Sequence, residues 1–154
     1  MFIKNRSNFI IAILIPLAVG ALSALFSRNM ALYSQINTPP LAPPGILFPI
    51  VWTILYILMG ISSYLIYESD SEYKESALKI YALQLFFNFM WSIIFFRFDQ
   101  YLFAFIWLLI LIGLIVKMIY VFYQIRPLAA YLQIPYLLWC LFAAYLNLMI
   151  YLLN

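Results

Sequence analysis

The chain contains no histidine. That absence removes the usual proximal haem ligand, the Ser-His nucleophilic pair and the imidazole ligands of most zinc sites. A single cysteine, Cys140, excludes an intramolecular disulfide and a thiolate cluster. No metal site is therefore expected. Charge is nearly as scarce: only 8% of the 154 residues are Asp, Glu, Lys or Arg, and the net charge of +3 is spread thinly. Such a chain lacks the basic stripe that nucleic acid requires, so no nucleic-acid partner is expected. Also missing is the every-second-residue alternation of a membrane β-barrel.

What fills the chain instead is apolar sequence, 68% of all residues. Charge-free runs cover 7–27, 29–67, 80–96, 100–116 and 127–154. Each reaches or approaches the ~20 residues a helix needs to cross a hydrocarbon core of ~30 Å. Lys79, Arg97 and Lys117 can extend the shorter runs by carrying their charges to the headgroups. The expectation is an all-α integral membrane protein, a bundle of five transmembrane helices near 7–27, 46–67, 78–97, 101–124 and 128–152, forming a single domain over 1–154. Lys4 and Arg6 precede the first run as they would in a signal peptide, but the run is longer than the ~7–15 apolar residues typical of one. It is read as a retained helix. Lys4, Arg6, Lys74, Lys79 and Arg126 then share one side, with Lys117 near it, against Arg28 and Arg97 on the other. The positive-inside rule places the N-terminus in the cytoplasm of a multi-pass cell-membrane protein.

The connection between the first two helices stands apart from the others. Pro39-Pro40 and Pro43-Pro44 stiffen it, and each proline pushes the residue before it out of the α region. A long proline-rich loop is expected there, acting as a rigid cap over the aromatic start of helix two. The remaining connections are short, so consecutive helices should be antiparallel neighbours. Pro16 and Pro135 should kink or locally open the first and fifth helices.

Polar and aromatic residues inside the spans fall on shared faces. Gln84, Asn88 and Trp91 are spaced i, i+4, i+7, as are Trp52, Tyr56 and Met59; Trp139, Ala143, Leu146 and Asn147 make a third face. An amide in hydrocarbon needs a partner, so Gln84, Asn88 and Asn147 should point inward, either as interhelical glue or as pocket lining. Trp107 is read as part of the interfacial or lipid-facing belt, and Lys117 as a cation that snorkels to the headgroups. Gly20 and Ala24 form a small-xxx-small pair suited to close helix packing. Trp52, Trp91 and Trp139 are placed around a cavity beneath the proline loop. Aromatic walls with a few amides suit a large, flat, mostly apolar ligand.

Three motifs, PPxxPPxxxxPxxWxxLY at 39–56, QLxxNxxW at 84–91 and WxxxAxxLN at 139–147, resemble the TspO/MBR family of tryptophan-rich sensory proteins, which also contains the mitochondrial translocator proteins. The resemblance runs from about Ile13 to Asn147. It implies a five-helix membrane bundle, often a homodimer, with a ligand cavity closed by the first loop. It further implies binding of protoporphyrin IX or haem as ligand, with no required cofactor, and of isoquinoline carboxamides. Bacterial members are linked to light-dependent porphyrin breakdown and to tetrapyrrole or stress regulation. Carried over residue by residue, the site comprises Tyr33, Pro43 and Pro44 from the loop, Trp52, Asn88 and Trp91, then Trp139, Ala143 and Leu146. Phe103 stands where many members have a pocket tryptophan. The sterol motif of animal members is incomplete, because only Leu152, Leu153 and Asn154 follow Tyr151.

Two functional classes remain open at this point. The chain either binds a tetrapyrrole for sensing, transport or scavenging, with photo-oxidative degradation as an enzymatic extension resting on Trp52 and Trp139, or it is a sterol or lipid carrier or a structural membrane partner. Tyr33 and Cys140 are candidates for weaker axial ligands to a haem iron.

Overall fold

The computed structural model describes residues 3–27 and 36–154, and every described element is helical. Helix α1 spans Arg6–Ser27, α2 Leu47–Tyr67, α3 Lys74–Ser92, α4 Tyr101–Ile125, α5 Pro127–Tyr131 and α6 Ile134–Leu153. With α3 taken to Arg97 and α5 joined to α6, five helical stretches are long and apolar enough to cross a membrane. Their outward faces are aliphatic and aromatic, as a hydrocarbon solvent demands. Lys117 lies on the exposed side of α4, where its stem can reach the headgroups.

The two interior prolines behave differently. Helix α1 runs through Pro16 without interruption. Pro16 has no N–H for the carbonyl of Ala12, and Gly60 of α2 comes up against that same carbonyl: a Cβ on Gly60 would stand 2.5 Å from Ile13 Cα and 2.7 Å from Ala12 O. Absence of a side chain at Gly60 is what lets α1 and α2 pack along their lengths. In the fifth span, by contrast, Leu132 and Gln133 interrupt the helix, which restarts at Ile134 with Pro135 in its first turn. Proline is suited to that position, where no intrahelical donor is needed. The short α5 is fastened to α2 by Ser62, whose hydroxyl donates to Ala129 O at 2.7 Å.

Other fastenings set the ends of the bundle. The Tyr64 hydroxyl accepts the backbone N–H groups of Lys4 and Asn5 at 2.9 and 3.1 Å, tying the start of α1 to α2. Arg97 donates from Nη1 to Phe26 O at 3.1 Å and so satisfies a carbonyl at the C-terminal end of α1. Helix α3 ends in a π-helical turn, Ile93–Arg97, closed by the bond from Phe98 N to Ile93 O at 3.2 Å. The chain then reverses through Asp99, whose φ of 55° is one that Asp tolerates better than most residues.

Of the connection between α1 and α2, residues 36–46 are described, and they are non-helical, with turns at Pro39–Ala42 and Pro44–Leu47. Its described start is held to the end of α6 by two asparagines: Asn37 N donates to Asn154 Oδ1 at 3.2 Å and Asn154 Nδ2 to Asn37 O at 2.9 Å. Tyr33 and Arg28 lie outside the described residues.

Trp107, expected in the interfacial or lipid-facing belt, is half-buried and also has an inward task. Its indole N–H donates to Phe87 O at 2.8 Å and its ring stacks on Phe87 with centroids 4.3 Å apart, so it clamps α4 to α3. Helical spacing alone could not separate these roles, since a half-buried indole suits both.

Candidate functional site: an aromatic cavity on the first three helices

A half-open cavity of about 310 Å³ lies between the C-terminal half of α1, the N-terminal half of α2 and the C-terminal part of α3. Helix α1 forms its floor with small residues, Gly20, Ser23, Ala24 and Ser27. The aromatic wall comes from Phe48, Trp52 and Tyr56 of α2 and from Trp91 and Phe96. The π-helical turn matters here, because the extra residue per turn changes where Phe95 and Phe96 project, and such turns recur at functional sites. Phe95 stacks on Trp91 at 5.4 Å, while Phe96 meets Trp91 edge-on at 6.3 Å.

Trp52 is the hub of the ring system. It stacks on Tyr56 at 5.6 Å and 26°, and presents an edge-to-face contact to Tyr136 at 6.2 Å and to Trp139 at 6.5 Å. Behind this wall runs a row of hydrogen bonds through the bundle. Tyr56 Oη donates to Asn88 Oδ1 at 2.8 Å, Asn88 Nδ2 to Tyr136 Oη at 2.9 Å, and Tyr136 Oη to Gln84 Oε1 at 2.7 Å. Gln84 Nε2, at the far end, has no partner. A second row orients Trp91: its Nε1 donates to Asn147 Oδ1 at 3.0 Å, and Asn147 Nδ2 donates to Tyr101 O at 2.8 Å. All three amides expected to face inward are buried, as are Tyr136 and Tyr56. The hydroxyls of Ser23 and Ser92 pair with each other across the cavity floor, joining α1 to α3.

The structure brings together some of the sequence-derived site residues and separates others. Trp52, Asn88 and Trp91 line the cavity. Trp139 stands behind Trp52, against Phe48 at 5.9 Å, and its indole N–H is buried without a partner. Ala143 and Leu146 line a narrow neighbouring void of about 20 Å³, which shares Phe48, Trp91 and Phe96 with the main cavity. Pro43 is half-buried and Pro44 exposed; neither is on the cavity surface. Phe103 is set apart: at 53% exposure it lies on the outer side of α4 beside Trp107, at 6.1 Å. The residues that α4 turns inward are Ala104, Leu108 and Leu111, and the step of one residue rotates Phe103 away from them.

Sequence reasoning missed the whole contribution of α1. The signal was available, since Gly20, Ser23, Ala24 and Ser27 recur at i, i+3, i+4, i+7, a small-residue stripe longer than the Gly20/Ala24 pair alone. Tyr136, the centre of the buried row, was also overlooked, because a tyrosine next to Pro135 reads as an interfacial residue.

The fold and cavity define a polytopic helical membrane protein with an aromatic-walled internal site. Comparison of the sequence with known proteins narrows that class. The profile of the TspO/MBR family matches residues 12–153. Tryptophan-rich protein TspO of Archaeoglobus fulgidus is 34% identical over 153 residues, covering 97% of this chain and 99% of that protein. The translocator protein of Ovis aries is 35% identical, with 87% of this chain and 82% of that protein covered. The translocator protein homolog of Schizosaccharomyces pombe is 32% identical, covering 100% of this chain and 96% of that protein. The chain belongs to the TspO/MBR family and is a membrane protein of the TspO/translocator type.

Proposed function

We propose that the protein binds a tetrapyrrole, protoporphyrin IX or haem, in the cavity of α1, α2 and α3, and uses that binding in sensing, transport or scavenging. The observation that carries this reading is the stacked Trp52–Tyr56 pair facing Trp91 over a floor of small residues. Flat π-systems gain from offset stacking and edge contacts of this kind, by about 0.5–1.5 kcal/mol per pair beyond the buried area. The space of about 310 Å³ is at the low end for a small-molecule site, typically ~300–1,000 Å³. A macrocycle therefore enters edge-first, with part of the ring outside the half-open mouth. Pro43 and Pro44 belong to the segment that would close over it. With no histidine in the chain, the site suits the metal-free macrocycle, or a haem held by its ring and not by a strong axial ligand. Isoquinoline carboxamides, being flat and apolar, fit the same slot. This reading includes a homodimer in the cell membrane with its N-terminus in the cytoplasm, the latter from the placement of Lys and Arg.

A second reading is favoured by one observation, the Trp52–Trp139 contact at 6.5 Å. Light-driven oxidation of bound porphyrin, with dioxygen as oxidant, would draw on Trp52 at the cavity wall and on Trp139 behind it as its oxidisable indoles.

Titration of purified protein with protoporphyrin IX, in darkness and then under light with product spectra, tests both. Trp52→Ala is expected to weaken dark binding about tenfold through lost stacking. Trp139→Phe, behind the wall, should bind normally. If Trp139→Phe then also fails to form a defined product that wild type forms, the indole pair takes part in chemistry. Equal bleaching of all variants leaves a binding protein. Absence of dark binding, with lipid or sterol recovered from the cavity, sinks the tetrapyrrole reading and favours a carrier of those molecules.

A further inference from the structure

No charged side chain lines the cavity of α1, α2 and α3. An ionised group placed inside it would lose its water and gain no partner. Just beyond the lining stands a cation. Among the described residues, Arg97 is the only charged residue next in sequence to one that lines the cavity, following Phe96 in the π-helical turn. Its Nη1 donates to Phe26 O at 3.1 Å, the carbonyl of the peptide that leads into Ser27, and Ser27 is itself a lining residue. The guanidinium is thus fixed beside the end of the cavity that Phe96 and Ser27 form.

That single bond leaves most of its donors free. A guanidinium has five N–H groups in a planar fork that matches a carboxylate. Arg97 is exposed, and among the described residues no carboxylate forms an ion pair with it, Asp99 two positions on included. A bulky cation held at the end of an uncharged apolar slot has the makings of an anchor for a guest that is apolar at one edge and anionic at the other.

We propose, resting on the tetrapyrrole reading above, that Arg97 binds a propionate of the macrocycle and so fixes which way round the ring enters. Protoporphyrin IX and haem carry both propionates on one edge and only apolar substituents on the opposite edge. The space of about 310 Å³ takes part of the ring. The apolar edge goes in against Trp52 and Trp91, and the carboxylates stay at the Phe96–Ser27 end, where Arg97 donates to them. The site then selects a tetrapyrrole acid over its uncharged ester, although the rings are the same.

The test titrates the purified full chain in darkness with two probes, protoporphyrin IX and its dimethyl ester, which keeps the ring and loses both charges. Each probe is compared only with itself across wild type, Arg97→Gln and Arg97→Lys, so its partition into detergent cancels. Arg97→Gln should weaken the acid about fivefold, the upper range of an exposed ion pair, and leave the ester unchanged. Arg97→Lys keeps the charge without the fork, so its affinity for the acid should fall between the two. Added salt should weaken the acid more on wild type than on Arg97→Gln. Protection of the buried Cys140 from a maleimide dye shows that each variant is folded. Equal weakening of acid and ester by Arg97→Gln would mean that Arg97 serves only the end of α1, and no change in either would mean that the propionates lie elsewhere. Both results overturn the proposal and leave tetrapyrrole binding standing. If wild type binds neither probe, the tetrapyrrole reading fails and this proposal with it.

Discussion

Gly20 offers the sharpest test of how the cavity is built. A Cβ at this position would stand 2.8 Å from Tyr56 Cδ2 and closer still to Cε2, where carbon atoms ordinarily rest ~3.5–4.0 Å apart. In Gly20→Ala the ring must therefore retreat by ~1 Å. Its hydroxyl, now 2.8 Å from Asn88 Oδ1, would then lie beyond hydrogen-bond range. Losing that bond and stranding a buried carbonyl oxygen costs about 2–4 kcal/mol together. Replacing glycine by alanine in a helix returns about 1 kcal/mol. The net loss of ~2 kcal/mol corresponds to a fall in Tm of ~4–8 °C on the scale of globular chains of this length. Cys140 makes the assay direct. It is the lone thiol, with 0% exposure, so a thiol-reactive dye reports its release on heating. The same substitution on a Tyr56→Ala background meets no ring and should be neutral or stabilising, giving a coupling of ~2 kcal/mol between the two sites. Equal destabilisation with and without the Tyr56 ring, or none in either, would refute the account of Gly20 as the seat of that ring.

Gly60→Ala meets backbone and not a movable ring, at 2.5 Å from Ile13 Cα, so it should lower Tm more than Gly20→Ala, while Gly113→Ala, with nothing within 4 Å, should hold or raise it. Gln133 is fully buried and neither polar atom of its amide has a partner, so Gln133→Leu should raise stability by about 1–3 kcal/mol in the same dye assay; a fall would mean that the amide is satisfied by buried water and is needed. Asn154→Ala removes two of the bonds that hold Asn37, leaving Asn37 Nδ2 on Leu153 O, and should speed proteolysis of the α1–α2 connection while costing no more than ~1 kcal/mol in stability.

The spans were legible because hydrocarbon imposes one rule on every residue that faces it. The expected helices 7–27, 46–67 and 101–124 meet α1, α2 and α4 to within a residue at either end. The start of α3 was set four residues late, at 78, because Lys74 and Glu75 interrupt the apolar signal while the helix continues into the headgroup region. Inward amides were legible for the same reason as the spans, since Gln84, Asn88 and Asn147 have no other place to go. Side-chain partnerships were not. Whether an indole meets lipid or a neighbouring helix depends on the rotation of two helices about their axes, which no single run of residues encodes; hence Trp107 and Phe103 were assigned without knowledge of where α3 would lie. The site itself was half legible, with Trp52, Asn88 and Trp91 found by spacing and the α1 floor passed over as packing.

The row from Tyr56 to Gln84 has a sense of direction, because each member donates to the next and the leftover at its end is an N–H. At the cavity, Tyr56 has spent its proton, so its oxygen can only receive. Turning over both amides and both hydroxyls reverses the sense with no backbone motion. Gln84 would then donate to Tyr136, Tyr136 to Asn88 and Asn88 to Tyr56, again three bonds, and the leftover at the far end becomes a carbonyl oxygen. In that state the Tyr56 proton faces the cavity. One wall could thus meet a guest's N–H or a guest's oxygen with three internal bonds kept in either sense, and the choice would be written at a buried glutamine on the far side of the row.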